Sequence, residues 1–406
     1  MGATRDPVAC GRPLPVPTIL RANLTDSPGV ETRIRTTHTG SLPRPDGLAD
    51  LLFDKHEANP FDSMDLERRI HEAVVDAVGR QRAAGVDVVN DGEMSKVSYW
   101  AYVKDRLTGF GGRSNPAPRS ADPLDTAYEE AARPVYRRLV RLACVGPIAY
   151  RGHDALQTDI DNLKEAVGNA GSQAVFMTSA SPGVIARFIE DQHYGNHETY
   201  LAAIVAAMQE EYRAIVHAGV TLQLDCPDLT ASFMGRGPHD LSAFRRHSAL
   251  AVEALNHALA GLPSDNLRLH VCWGNFPGPH HHDVPLADIV DIVLQANVAG
   301  ISIEASNPRH AHEYEVFDTV NLPEGKYLIP GVIDSTSNYV EHPDLVAQRL
   351  VRYAERVGAG NLMAGSDCGF GTVAGPSWVV PPIVWEKFES MREGAMRASV
   401  RLRTAS

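Results

Sequence analysis

The sequence predicts a single (β/α)8 barrel, and three observations carry that expectation. From Arg33 onward, short β-branched or apolar runs alternate with long helical patterns, as in a parallel sheet with helical crossovers. Four helix stops run straight into buried strands, at Ala84-Gly85-Val86, Ala218-Gly219-Val220, Ala299-Gly300-Ile301 and Val357 to Gly360. The chain has 406 residues, 44% of them apolar, enough to fill one large α/β domain.

Strands are expected at Arg33–His38, Val86–Asn90, Leu142–Val145, Ala174–Thr178, Leu222–Asp225, Leu267–Cys272, Gly300–Glu304, Tyr327–Val332 and Leu362–Gly365. That is one more than a barrel uses, so one should stand outside it. Helices are expected at Ser63–Ala84, His197–Ala218, Leu241–Ala260, Leu286–Ala296, Pro343–Val357 and Pro382–Ala398. The second shows the logic. Tyr200, Ile204, Met208, Glu211, Tyr212 and Ile215 recur every three to four residues, and Gly219 supplies a left-handed stop. Thr108–Arg133 is rich in Gly, Pro, Ser and Arg and reads as a long insertion or lid. Residues 1–32 carry prolines, arginines and acids without an apolar secretory core, and read as a flexible tail before a barrel over 33–406.

Composition excludes several function classes. Lys and Arg number 38 against 50 Asp and Glu, a net charge of −12 with no basic stripe, so nucleic acid is not an expected partner. The longest apolar run, Leu201 to Met208, falls far short of the roughly 20 residues a membrane span needs. Five cysteines are too few for a disulfide scaffold and suit a reducing cytoplasm, where Cys is more often buried, catalytic or metal-bound. An oligomer is compatible with the sequence.

In a barrel the chemistry sits at the C-terminal ends of the strands. The polar residues there are Asp91 and Glu93; Asp225, Cys226 and Asp228; His270, Cys272 and Asn275; Glu304, Ser306 and Asn307; Asp334; and Asp367 with Cys368. Leu267 to Cys272 ends in His-x-Cys, and residues i and i+2 of a strand share a face. Alone, that pair reads more readily as a buried Cys beside a satisfied His than as two ligands. Glu304 and Cys368 at other strand ends complete a nitrogen, two sulfurs and a carboxylate, a set that suits tetrahedral Zn2+. Such a site can take up a further thiol and hold it as a thiolate.

Seven segments in order then carry a resemblance: Thr36-Thr-His-Thr-Gly40-Ser41-Leu-Pro43, Asn90-Asp-Gly-Glu93, Leu222-Gln-Leu-Asp225, His270-Val-Cys272, Ile303-Glu304, Pro330-Gly-Val-Ile-Asp334 and Asp367-Cys368-Gly369. From about Arg35 to Leu402 the chain resembles the catalytic half of cobalamin-independent methionine synthase and its shorter relatives, among them epoxyalkane:coenzyme M transferase. The resemblance implies that His270, Cys272, Glu304 and Cys368 ligate zinc. It implies that Gly40 and Ser41 contact the amino-acid part of homocysteine, and that Glu93 and Asp225 hold its α-amino group. Paired carboxylates are what an ammonium needs. A helix cap is the plainer reading of Asp225.

The sequence departs from the family in three places. Thr336 stands where full-length enzymes carry a histidine thought to assist proton transfer to the leaving folate. No Trp in Gly171–Arg187 matches the folate-stacking one. Cys226 and Asp228 follow Asp225 where a Glu-Pro-Ala-like run is usual. Candidate replacement proton donors are His281, within His280-His281-His282, and His310, close to His312; Asp334 joins them as a candidate catalytic residue. Solvated loop histidines, or partners orienting Glu304, are the plainer readings, and a second metal on the triple histidine is a further one. Trp273, Trp100 and Tyr99 are candidates for an apolar pocket or for core.

The expected activity is alkyl transfer to a small-molecule thiol, with methyl transfer to homocysteine first. Thiol addition to an epoxide or another small electrophile is the alternative. Rival readings are a metal-free lyase of the uroporphyrinogen decarboxylase type and a zinc-binding protein without catalysis.

Overall fold

The computed structural model describes residues 33–114, 122–132, 139–168, 174–230, 240–375 and 377–405. The expected tail at 1–32 lies outside the described residues.

Eleven strands are present among the described residues: β1 (Arg35–Thr36), β2 (Val88–Val89), β3 (Phe110–Arg113), β4 (Leu142–Cys144), β5 (Ala174–Ala180), β6 (Glu190–Asp191), β7 (Thr221–Asp225), β8 (Leu267–Val271), β9 (Gly300–Ile303), β10 (Tyr327–Ile333) and β11 (Met363–Ser366). Eight form one parallel sheet in the order β1-β11-β10-β9-β8-β7-β5-β2. The sheet closes on itself where the Asp87 N–H donates to Thr36 O at 3.1 Å. This is the expected (β/α)8 barrel. The supernumerary strand is β4, which pairs antiparallel with β3 and parallel with β6 in a small side sheet.

Helix ends follow local chemistry. Asp62 caps Ser63–Ala83 by accepting from Met64 N and Asp65 N, and Asn196 caps His197–His217 by accepting from Thr199 N. The stop after the latter falls at Gly219, with φ +79°. Its periodic residues Tyr200, Ile204, Met208, Glu211, Tyr212 and Ile215 are all buried, as expected. Glu211 is no exception to burial chemistry, because it accepts from Tyr102 OH at 2.7 Å, Ser179 Oγ at 2.7 Å and Tyr150 OH at 3.0 Å.

One expectation needs correction. The helix expected at Leu286–Ala296 breaks into a 3-10 turn, Leu286–Asp288, and one short helix, Val290–Val293. Ile289, Val290, Ile292 and Val293 are β-branched and stiff at χ1, which weakens a continuous helix. Thr108–Arg133, expected to be a long insertion or lid, contains β3 and the helix Pro123–Ala132. Inside the barrel, Val88, Phe176, Ala299, Tyr327, Ile329 and Met363 pack together. The Arg268 guanidinium lies 3.6 Å from the Phe176 ring centroid and donates to Thr37 Oγ1 and His38 O. Among the described residues no helix is long and apolar enough to cross a membrane.

Candidate active site

Strand geometry brings three donors together at the barrel mouth. β8 directs His270 and, one step beyond its end, Cys272 the same way, and the turn after β11 delivers Cys368. One ligand atom from each of the three lies within 4.8 Å of the others, and all three residues are buried. The two sulfurs stand 3.5 Å apart, well beyond the roughly 2.05 Å of a disulfide. Two thiolates about 2.3 Å from one tetrahedral ion would be about 3.8 Å apart, so the pair needs a shift of only a few tenths of an ångström to share one.

The surroundings fit a cation as well. His270 Nδ1 faces Ser302 Oγ at 3.3 Å, whereas its Nε2 is buried without a hydrogen-bond partner. Burial, and then the Arg268 charge, lower the His270 pKa to about 3, so its ring is neutral and keeps a lone pair. The hydrogen bond to Cys368, then burial, hold the Cys272 thiol well above its ordinary pKa. Burial and then the Cys272 charge do the same to Glu304. Acidic groups crowded into one dry place beside a neutral imidazole are the donor set that a divalent ion stabilises.

Glu304 stands next to this cluster, close enough to Cys272 to hydrogen-bond with it. Its Oε1 accepts from Trp273 N at 2.7 Å and its Oε2 from Asn307 Nδ2 at 2.8 Å. Asn307 is held in turn by Asp367, whose carboxylate accepts four hydrogen bonds, from Ala305 N, Ser306 N, Asn307 N and Asn307 Nδ2. Asp367 therefore ties the end of β11 to the end of β9.

A second group of polar residues adjoins the cluster. Ser41 accepts at its carbonyl from Phe370 N at 2.8 Å, two residues beyond Cys368. Gly40, with φ +139°, has room for no side chain: a Cβ would meet Thr178 at 2.5 Å and Glu93 Oε1 at 3.2 Å. Glu93 itself adopts φ 58°. Its Oε1 accepts from Thr178 Oγ1 at 2.7 Å, while Oε2 is buried without a hydrogen bond, 3.8 Å from Arg44 Nη2. Asp225 accepts from Gln223 Nε2 at 3.0 Å and caps no helix. Burial, and then the charge of Glu93, push its pKa up to about 8. A buried carboxyl whose ionisation the neighbouring Glu93 opposes makes a place for a cation.

The histidines behave differently. His310 is buried, with Nδ1 2.7 Å from Glu313 Oε2 and Nε2 3.1 Å from Asp283 Oδ2, and its ring lies 4.3 Å from Trp273 between centroids. Burial opposes its charge, yet the hydrogen bonds it donates to Asp283 and Glu313 push its pKa up to about 10. It is an imidazolium strut with both nitrogens engaged. His281 turns away to Asp122. Asp334 accepts from Thr336 N and Thr336 Oγ1, both at 2.8 Å, and closes a turn. Trp273 is core, its Nε1 donating to Val284 O at 2.7 Å, and Trp100 stacks on Phe188 at 5.3 Å.

The family model described as the catalytic domain of cobalamin-independent synthase matches residues 178–386, just over half of the chain. The chain belongs to the cobalamin-independent methionine synthase family. The matched span holds Asp225, His270, Cys272, Glu304 and Cys368; Gly40, Ser41 and Glu93 precede it. A methionine synthase from Saccharolobus solfataricus is 25% identical over 365 residues, covering 88% of this chain and 93% of its own. The Bacillus subtilis protein YxjH is 25% identical over 364 residues, covering 87% and 91%. The structure of a B12-independent methionine synthase from Shewanella sp. W3-18-1 in complex with selenomethionine superposes with a TM-score of 0.71 at 19% identity, over 92% of this chain and 99% of that one. That likeness confirms the barrel.

Several site-building residues of this family member escaped the sequence reading. Lys96 donates to Thr178 O at 2.6 Å and Thr178 Oγ1 at 3.0 Å, and sits over the Tyr102 ring at 4.5 Å. Arg44 donates to Leu42 O at 2.8 Å and Lys96 O at 3.0 Å. A buried Lys and Arg on a loop beside a Glu were the available signal.

Proposed function

We propose that this chain is a zinc-dependent thiol alkyltransferase whose first reaction is methyl transfer to homocysteine, giving methionine. The observation that carries the reading is the buried His270–Cys272–Cys368 cluster, in which His270 Nε2 has no hydrogen-bond partner. His270, Cys272 and Cys368 would hold the ion with Glu304 beside them. A zinc ion held there would supply Lewis-acid activation, lowering the pKa of an added thiol toward the thiolate.

The chain's own residues supply orientation. Glu93 and Asp225 receive the α-ammonium of the acceptor, which relieves the mutual repulsion that raises Asp225. The backbone at Gly40 and Ser41 borders the same space, where only a glycine fits. Ser302 fixes the His270 ring through Nδ1, leaving Nε2 as the ligating nitrogen. The transfer forms the sulfur–carbon bond as the carbon–donor bond breaks. The bonding pair leaves with the donor, which takes up a proton. The relatives named methionine synthase support the methyl reading.

One observation favours a second donor class, a small electrophile such as an epoxide. Thr336 occupies the position where the resemblance expects a histidine, and its hydroxyl is spent on Asp334. The paired carboxylates favour an amino-acid thiol over a sulfonate thiol in either case. Assays of purified protein with homocysteine and either methyl-folate or an epoxide separate the two. Methionine formation supports the first reading, and turnover with the epoxide alone supports the second.

A further inference from the structure

We infer that Asp122, His281 and His282 form a second divalent-cation site, separate from the cysteine cluster, that staples the helix Pro123–Ala132 to the loop after β8. The three side chains offer ligand atoms within 4.8 Å of one another. Asp122 Oδ2 lies 3.1 Å from His281 Nε2 and 2.9 Å from His282 Nε2. Ligands about 2.0–2.1 Å from a tetrahedral ion stand about 3.3 Å apart, so each histidine nitrogen needs to part from Asp122 by only a few tenths of an ångström.

The hydrogen-bond pattern favours an ion over a simple ion-paired strut. Both rings present Nε2 to one oxygen of Asp122. The other oxygen is committed to the helix start, accepting from Leu124 N at 2.7 Å and Asp125 N at 3.3 Å. The ring centroids are 4.0 Å apart, so two imidazolium charges would repel, whereas one dication supplies the same charge to all three donors. His281 Nδ1 is buried without a partner, so the ring is oriented through Nε2. His280 and His310, by contrast, each place both nitrogens on partners. Side-chain exposures of 30%, 26% and 19% for His281, His282 and Asp122 leave an entry path and a fourth position for water.

The site would join two segments 159 positions apart that already touch through Tyr128 and Phe276, whose rings are 5.8 Å apart. The same loop carries Asp283, which holds His310. Two nitrogens and one carboxylate without a thiol select zinc, cobalt or nickel over magnesium or calcium.

The test uses the full chain, stripped with a chelator, reloaded with Zn2+ or Co2+ and passed through gel filtration. Elemental analysis should find two metals per chain in the wild type and one in the His281→Ala/His282→Ala variant. Asp122→Asn, which keeps the shape of the helix cap, should also lose one. The cobalt signal lost with these variants should lack a sulfur charge-transfer band. Unchanged stoichiometry in both variants would overturn the site, as would a second metal retained only in large molar excess. The proposed function is judged separately, by the metal lost in Cys272→Ser.

Discussion

Two histidine-bearing regions at the barrel mouth make opposite use of the same side chain. At the end of β8, burial and the Arg268 charge keep His270 neutral, and its Nε2 has no partner. In the following loops, carboxylates hold His310 charged at both nitrogens. The first is a lone pair looking for a Lewis acid; the second is a cation that fastens Asp283 to Glu313. Residue type does not separate them. Partner count and local charge do.

The largest expected effect comes from breaking the neutral-histidine region. Cys272→Ser or Cys368→Ser should remove the metal and lower turnover by about 10³-fold or more, on the scale of losing a main catalytic group. A metal-free variant with full activity in a steady-state assay would sink the mechanism.

Breaking the charged-histidine region should cost stability before chemistry. His310→Gln strands two carboxylates, and about 3–5 kcal/mol is expected in denaturant unfolding at pH 7. The sign with pH follows from the raised pKa. The stabilisation is fully present below the unfolded value near 6.5 and is lost as pH rises through about 10. The gap between variant and wild type should therefore shrink from about pH 6.5 to about pH 10; a gap that widens across that range would refute the strut.

Asp225→Asn or Glu93→Gln should raise KM for homocysteine by about 10²-fold, as when one partner of a buried charge pair is removed. Because Asp225 is pushed up to about 8, the free pair holds a proton below that pH. Acceptor binding displaces it, so affinity should rise with pH up to about 8, up to about tenfold per unit. A flat profile from pH 6 to 8 would mean that the ammonium sits elsewhere. The mildest change, Ser302→Ala, frees the His270 ring and should weaken metal affinity about 10- to 100-fold in a competition titration. Unchanged affinity would remove Ser302 from the account.

The barrel was legible because helix stops and buried strands repeat locally, and β8 was legible because its period of two places His270 and Cys272 together. Glu304 was found, but its restraint by Trp273 N and Asn307 was not, since those contacts come from chain turns with no periodicity. Lys96, Arg44 and Thr178 gather around Glu93 from separate elements, a meeting that one-dimensional spacing does not encode. His310 read as a proton donor from its place on a mouth loop. Its two carboxylate partners, one of them 27 residues upstream, carried no signal in the sequence spacing. The helix at 286–296 failed for a local reason, the β-branched cluster, that hydropathy periodicity ignores.

The central claim is that the buried histidine–cysteine cluster activates an amino-acid thiol. The most direct test follows the absorption spectrum of the cobalt-substituted protein as homocysteine is added. A new thiolate-to-cobalt band, absent with coenzyme M and lost in Cys272→Ser, is the predicted result. A spectrum that does not respond to homocysteine while the enzyme still turns it over would contradict the account.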